Sequence, residues 1–145
     1  MKQNIFKISL LPLLVGVCVL SVLSSCKKDD DTPSPTLKSQ LTGTWDITSF
    51  KVEDVEFMGF IVDSSHVQFK TYAGSEGDFQ QMTLYSDGER ENITGKYQVK
   101  ETEKELRMVT DSDTVVVQIS FPVEKNMEWT GEDEGQTVTV KAARR

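Results

Sequence analysis

Apolar and polar residues alternate with a period of two along most of this chain, in short runs cut by turn residues, and this pattern constrains the fold more than any other feature. Successive side chains of a strand point to opposite faces, so such a run buries one face and wets the other. A helix would instead repeat its apolar residues every three to four positions. The clearest run is 114–121, which sets Val115, Val117, Ile119 and Phe121 on one face before Pro122 ends it. Run 44–52 carries Trp45 and Ile47 and then slips to Phe50 and Val52, and one residue out of step predicts a β-bulge. Run 67–72 sets Val67 and Phe69 together and closes on Gly74-Ser75-Glu76-Gly77. Run 79–85 ends at Ser86-Asp87-Gly88, whose Asp-Gly pair signals a hairpin. Run 90–100 carries Ile93, Tyr97 and Val99, and run 105–110 carries Leu106 and Met108 before Asp111-Ser112-Asp113. Run 126–130 holds Met127 and Trp129 ahead of an acidic turn at 131–135, and run 137–142 holds Val138 and Val140.

Eight strands in sequence with short connections favour an antiparallel meander, and a meander must either close on itself or leave an edge exposed. No stretch longer than about ten residues has helical periodicity. The charged string Lys100-Glu101-Thr102-Glu103-Lys104-Glu105 reads as a solvated turn between two strands.

The first 25 residues belong to another kind of segment. A basic start (Lys2, Lys7), an apolar body over 8–23 and the small pair Ser24-Ser25 have the layout of a secretory signal peptide. A membrane-spanning helix needs about 20 apolar residues, and this body is shorter and carries Pro12 and Gly16. Leu23-Ser24-Ser25-Cys26 resembles the bacterial lipobox, which implies cleavage before Cys26 and attachment of acyl chains to its thiol. Two or more chains anchor a protein where a single chain binds only reversibly. Cys26-Lys27-Lys28-Asp29-Asp30 resembles the signal that sends lipoproteins of Bacteroidetes-type bacteria to the cell surface; read from composition alone, it is the solvated start of a tether. The expected location is the outer membrane, lipid-anchored and facing outward. Asp31-Thr32-Pro33-Ser34-Pro35-Thr36 reads as an extended spacer.

Removing residues 1–25 leaves 120, divided here into a lipidated tether over 26–38 and one small domain over 39–145. The formal charge is −7, and the signal contributes Lys2 and Lys7 and no acid, so the mature chain stands two lower, at −9. Such acidity argues against nucleic acid, which is bound by basic surfaces. Of the two cysteines, Cys18 leaves with the signal and Cys26 takes the lipid, so no disulfide is available and the domain depends on its hydrophobic core. His66 is the single histidine, and no cysteine is free to pair with it, which leaves little material for nucleophilic catalysis. Asp111-Ser112-Asp113 lacks the glycine and distal glutamate of a calcium loop. No catalytic residue, metal site or cofactor is expected.

Leu41-Thr42-Gly43-Thr44-Trp45 resembles the opening motif of the lipocalins, specifically the lipocalin-like domains of bacterial surface lipoproteins, and the stretch from Met127 to Lys141 is similar to how those domains end. The resemblance covers most of 40–143 and implies an all-β, eight-stranded antiparallel up-and-down barrel in which Trp45 plugs the closed end. In that family an arginine near the last strand stacks on the plug tryptophan, a role that falls to Arg144, with a cation–π contact of about 1 kcal/mol. The resemblance also implies a long first connection over the barrel mouth. Phe57-Met58-Gly59-Phe60-Ile61-Val62 is therefore either a lid hinged at Gly59 or, the reading preferred here, a buried strand extending the first hairpin.

A barrel of eight strands is filled by its own side chains or holds one small ligand, according to the size of its inward residues. The expected inward set is Phe69, Met82, Leu84, Tyr97, Leu106, Met108, Val117 and Ile119, with Phe69, Met82, Tyr97 and Met108 as candidate ligand contacts. Two functions follow: a surface binding protein for a small apolar ligand, or a filled barrel serving as a protein or glycan interaction module. A connected cavity of roughly 300 Å³ or more favours the first.

Overall fold

The computed structural model describes residues 34–145. The signal-like segment, Cys26 and the first half of the spacer lie outside the described residues. A five-residue helix, α1 (Leu37–Leu41), is capped by Thr36, whose hydroxyl accepts from the Ser39 N–H at 3.2 Å. Nine strands follow: β1 (Gly43–Val52), β2 (Val55–Glu56), β3 (Val62–Phe69), β4 (Gly77–Tyr85), β5 (Arg90–Lys100), β6 (Glu105–Val109), β7 (Thr114–Ser120), β8 (Asn126–Asp133) and β9 (Gln136–Arg144).

The eight longer strands form a closed antiparallel up-and-down barrel. Each pairs with the next, and β1 pairs back onto β9 from Trp45 opposite Arg144 to Val52 opposite Val138. Closure removes the sheet edge that a meander would expose. The two-residue β2 only extends the far end of β1, with Lys51 opposite Glu56. The predicted slip in the first strand is present: the β1–β9 register shifts between Ile47 and Ser49, so Trp45 and Ile47 face inward below the bulge and Phe50 above it.

Several boundaries differ from the sequence pattern for physical reasons. β3 begins at Val62, five residues before the apolar alternation, because Ser65 takes an inward position and bonds across the sheet to Thr83, hydroxyl to hydroxyl at 3.0 Å. A satisfied polar pair sits inside a sheet as well as an apolar one, but it leaves no alternation to read. β8 runs through the acidic segment to Asp133, so only Glu134 and Gly135 remain for the turn. The structured domain also takes in Leu37 and Lys38, which the sequence pattern left in the tether: both lie in α1, and their N–H groups donate to the Glu101 carboxylate at 2.7 and 3.0 Å.

Residues 57–62 correct the reading as a buried strand. Only Val62 is buried and in a strand; Phe60 is 75% and Ile61 50% exposed. Gly59 sits at φ 81°, in the left-handed region that glycine enters freely, and turns the chain so that the Phe57 carbonyl accepts from the N–H groups of Phe60, Ile61 and Val62. The segment is a self-bonded loop beside the barrel mouth.

The core fills the end of the barrel beside α1. Trp45 is 1% exposed; its indole N–H donates to the Leu41 carbonyl at 2.7 Å, and its ring lies 5.7 Å from Phe121. The Arg144 guanidinium stands 5.0 Å from the centre of the same indole and donates to the carbonyls of Gln40 and Thr42, tying the last strand to α1 across the plug. Both residues thus occupy the positions the sequence motif implied.

Candidate functional site

Packing is not continuous through the barrel. Beyond the plug and the aromatic layer above it, the interior opens into a cavity of about 490 Å³ that faces the end carrying the 57–61 loop and the β4–β5, β6–β7 and β8–β9 turns. That size lies within the range for small-ligand sites. One glycine helps keep the space. Gly131 of β8 lines the cavity, and a Cβ there would stand 2.8 Å from Val117 Cγ1.

Of the four candidate contacts, Met108 alone lines this cavity, half-buried on β6. Phe69 and Tyr97 point inward as expected but belong to the packed half below, where their rings meet edge to face at 5.0 Å and Tyr72 closes on Tyr97 at 5.1 Å. Burial pushes the Tyr97 phenol above its ordinary range. Met82 is a correction of direction: it is 43% exposed and faces outward, as does the half-exposed Leu84. Their strand turns Phe79, Gln81, Thr83 and Tyr85 inward instead. The Met82–Leu84 pair suggested the opposite register, but Phe79 must join the aromatic layer against Phe69, 6.3 Å away, and that contact fixes the parity of the whole strand.

The cavity has an apolar wall and a polar strip. Ile47, Phe50, Val117, Trp129 and Val140 join Met108 in the wall. Opposite in kind are Ser65, Gln81 and Thr83 of β3 and β4. Ser65 and Thr83 share their hydrogen bond, and the Gln81 amide N–H group donates to both oxygens at 3.4 Å. At the rim, the Tyr85 hydroxyl donates to Glu91 at 2.7 Å, and that bond with the carboxylate pushes the phenol up to about 12. Glu91, Asp113, Glu132 and Asp133 all line the opening, and no lysine or arginine among the described residues does.

Glu56 holds the mouth loop in place. Its carboxylate accepts from the Ser49 hydroxyl at 2.5 Å and from the N–H groups of Phe50 at 2.8 Å and Met58 at 3.0 Å. The Ser49 bond, helped by the two N–H groups, holds the carboxyl below its usual range. A depressed carboxylate stabilises the fold above its unfolded pKa, and the contribution is lost as pH falls through the folded value. Hydrogen bonds to a charged group contribute about 1.5–3 kcal/mol. Glu56→Gln should therefore speed hydrogen exchange at the Phe50 and Met58 amides at neutral pH by about tenfold, the equivalent of about 1.4 kcal/mol. Unchanged exchange at both amides would show that Glu56 does not hold the loop.

No protein-family model and no curated protein sequence matches the chain. Solved structures do. A de novo designed fluorescence-activating β-barrel superposes with a TM-score of 0.57 at 15% identity, covering 77% of this chain and 99% of that one. Japanin from Rhipicephalus appendiculatus, in a structure bound to cholesterol, gives 0.57 at 10% identity over 76% of this chain and 79% of its own. The siderocalin Ex-FABP gives 0.52 at 9% identity over 74% and 75%. The likeness at such low identity is one of fold, and the fold is that of a closed, lipocalin-like β-barrel.

Proposed function

We propose that this chain is a lipid-anchored surface binding protein whose barrel holds one small apolar ligand at its open end. The observation that carries the reading is the cavity of about 490 Å³, lined by Trp129, Met108 and aliphatic side chains above a plugged floor. A filled barrel acting only through its outer face would have no use for such a space. The folds it resembles include barrels solved with a small molecule bound, among them Japanin with cholesterol, which fits the reading without naming this chain's ligand. Binding and release need no chemistry from the protein, in keeping with a non-enzymatic role and no cofactor.

The site reports on itself, because Trp129 lines the cavity and Trp45 is sealed in the plug. A neutral solvatochromic dye should bind saturably, one per chain, and quench the Trp129 emission, while Trp129→Phe should remove the quenching. Dye fluorescence that rises without saturation would defeat the proposal.

The anchor is supported by the order of apolar body, Ser24-Ser25 and Cys26. Cys26→Ala should leave an unlipidated precursor. If metabolic labelling with an alkyne fatty acid marks that variant as strongly as the wild type, the anchor is misassigned. Outward display follows from Lys28, Asp29 and Asp30 as an export signal.

A further inference from the structure

The binding reading names a cavity; its polar atoms narrow what enters it. Ser65 and Thr83 are 6% and 7% exposed, and both line the cavity. Their two hydroxyls share one hydrogen bond at 3.0 Å, which uses one of the two hydroxyl hydrogens. The other meets no acceptor among the described residues. Gln81 donates to this pair only at 3.4 Å, the outer limit of a hydrogen bond, and its carbonyl oxygen has no donor among the described residues. The strip therefore offers a spare donor beside a spare acceptor inside an otherwise apolar chamber. These groups open onto the cavity, and a ligand that pairs with them gains selectivity over one that does not.

The head group that answers both at once is a hydroxyl, which accepts from the free Ser65 or Thr83 hydrogen and donates to the Gln81 carbonyl. A carboxylate has no hydrogen to donate, and it would also bring negative charge to an opening lined by Glu91, Asp113, Glu132 and Asp133 with no cation among the lining residues. Charges of like sign repel, more strongly beside an apolar wall than in open water. Resting on the binding reading above, we propose that the ligand is a neutral, hydroxyl-bearing apolar molecule whose head sits against Ser65, Gln81 and Thr83, and that the site discriminates against the carboxylate of the same apolar body.

The test is competition against the neutral dye in the mature protein at pH 8, using decanol below its solubility limit and decanoate below its micelle concentration. Decanol should displace the dye at a concentration at least tenfold lower than decanoate. The gap should narrow as salt rises from ~0.05 to ~0.5 M, because the rim charges are exposed and screened. Neutralising the rim (E91Q, D113N, E132Q and D133N together) should bring decanoate closer to decanol. Ser65→Ala and Thr83→Val should each weaken decanol several-fold; should Thr83→Val fail to fold, Ser65→Ala carries that arm. Equal displacement by the two compounds, a gap indifferent to the rim, or decanol binding indifferent to the hydroxyls would each overturn the assignment. A bound dye displaced by neither compound overturns this inference and leaves the cavity reading standing. A dye that never binds overturns the cavity reading itself, and this inference with it.

Discussion

Trp45→Ala should cost the domain about 3–5 kcal/mol, the range for deleting a core aromatic, and chemical denaturation should register it as a large fall in the unfolding midpoint. The size follows from what the indole joins. It is 1% exposed, donates to the Leu41 carbonyl, packs on Phe121 and carries the Arg144 guanidinium over its face. Removing it leaves a void at the point where β1, β9 and α1 meet, and leaves the Leu41 carbonyl without its indole donor. The loss is a sizeable part of the 5–15 kcal/mol typical of a domain. A Trp45→Ala protein as stable as the wild type would contradict the barrel's plugged end.

Tyr97→Ala should be comparably damaging, about 3–5 kcal/mol on the same scale, and should leave dye binding by the folded fraction close to wild type. The side chain is fully buried, stacks edge to face with Phe69 and Tyr72, and donates its hydroxyl to the Lys70 carbonyl. Its fit is close enough that a Cβ on Gly77 would fall 2.3 Å from the ring, so Gly77 exists to let Tyr97 lie flat across β4. The sequence alone offered Tyr97 as a ligand contact, and the packed layer makes it part of the floor. Weakened dye binding with undiminished stability would return it to the ligand site.

Most of the strands were legible because their inward residues are apolar: β5 was bounded at both ends by its alternation, and the bulge in β1 announced itself as a slip between Ile47 and Phe50. The plug was legible from Gly43-Thr44-Trp45 and Arg144, since a motif at the closed end depends on few residues. The cavity was not, because its polar strip breaks the pattern used to find it. On β4 the inward positions Gln81 and Thr83 look like solvent positions, and Met82 and Leu84 look like core. The signal that resolves the parity is Phe79, but weighing it requires knowing that Phe69 lies opposite. The same applies to β3, whose first half hides behind Ser64-Ser65-His66. Nor does any local pattern say that Gly131 faces Val117 inside the barrel, since strand pairing across the whole chain decides what a glycine leaves empty.

Methionine methyl groups sample the regions that matter most. Met108 lines the cavity, Met58 lies in the mouth loop, Met127 is sealed in the closed half and Met82 lies on the outer face. The most direct test of ligand binding inside the barrel is a methyl-labelled NMR titration of the mature protein with decanol. The account predicts saturable shifts at Met108 and Met58 with Met127 and Met82 unmoved. Shifts confined to Met82, or no saturable shift at Met108, would contradict it.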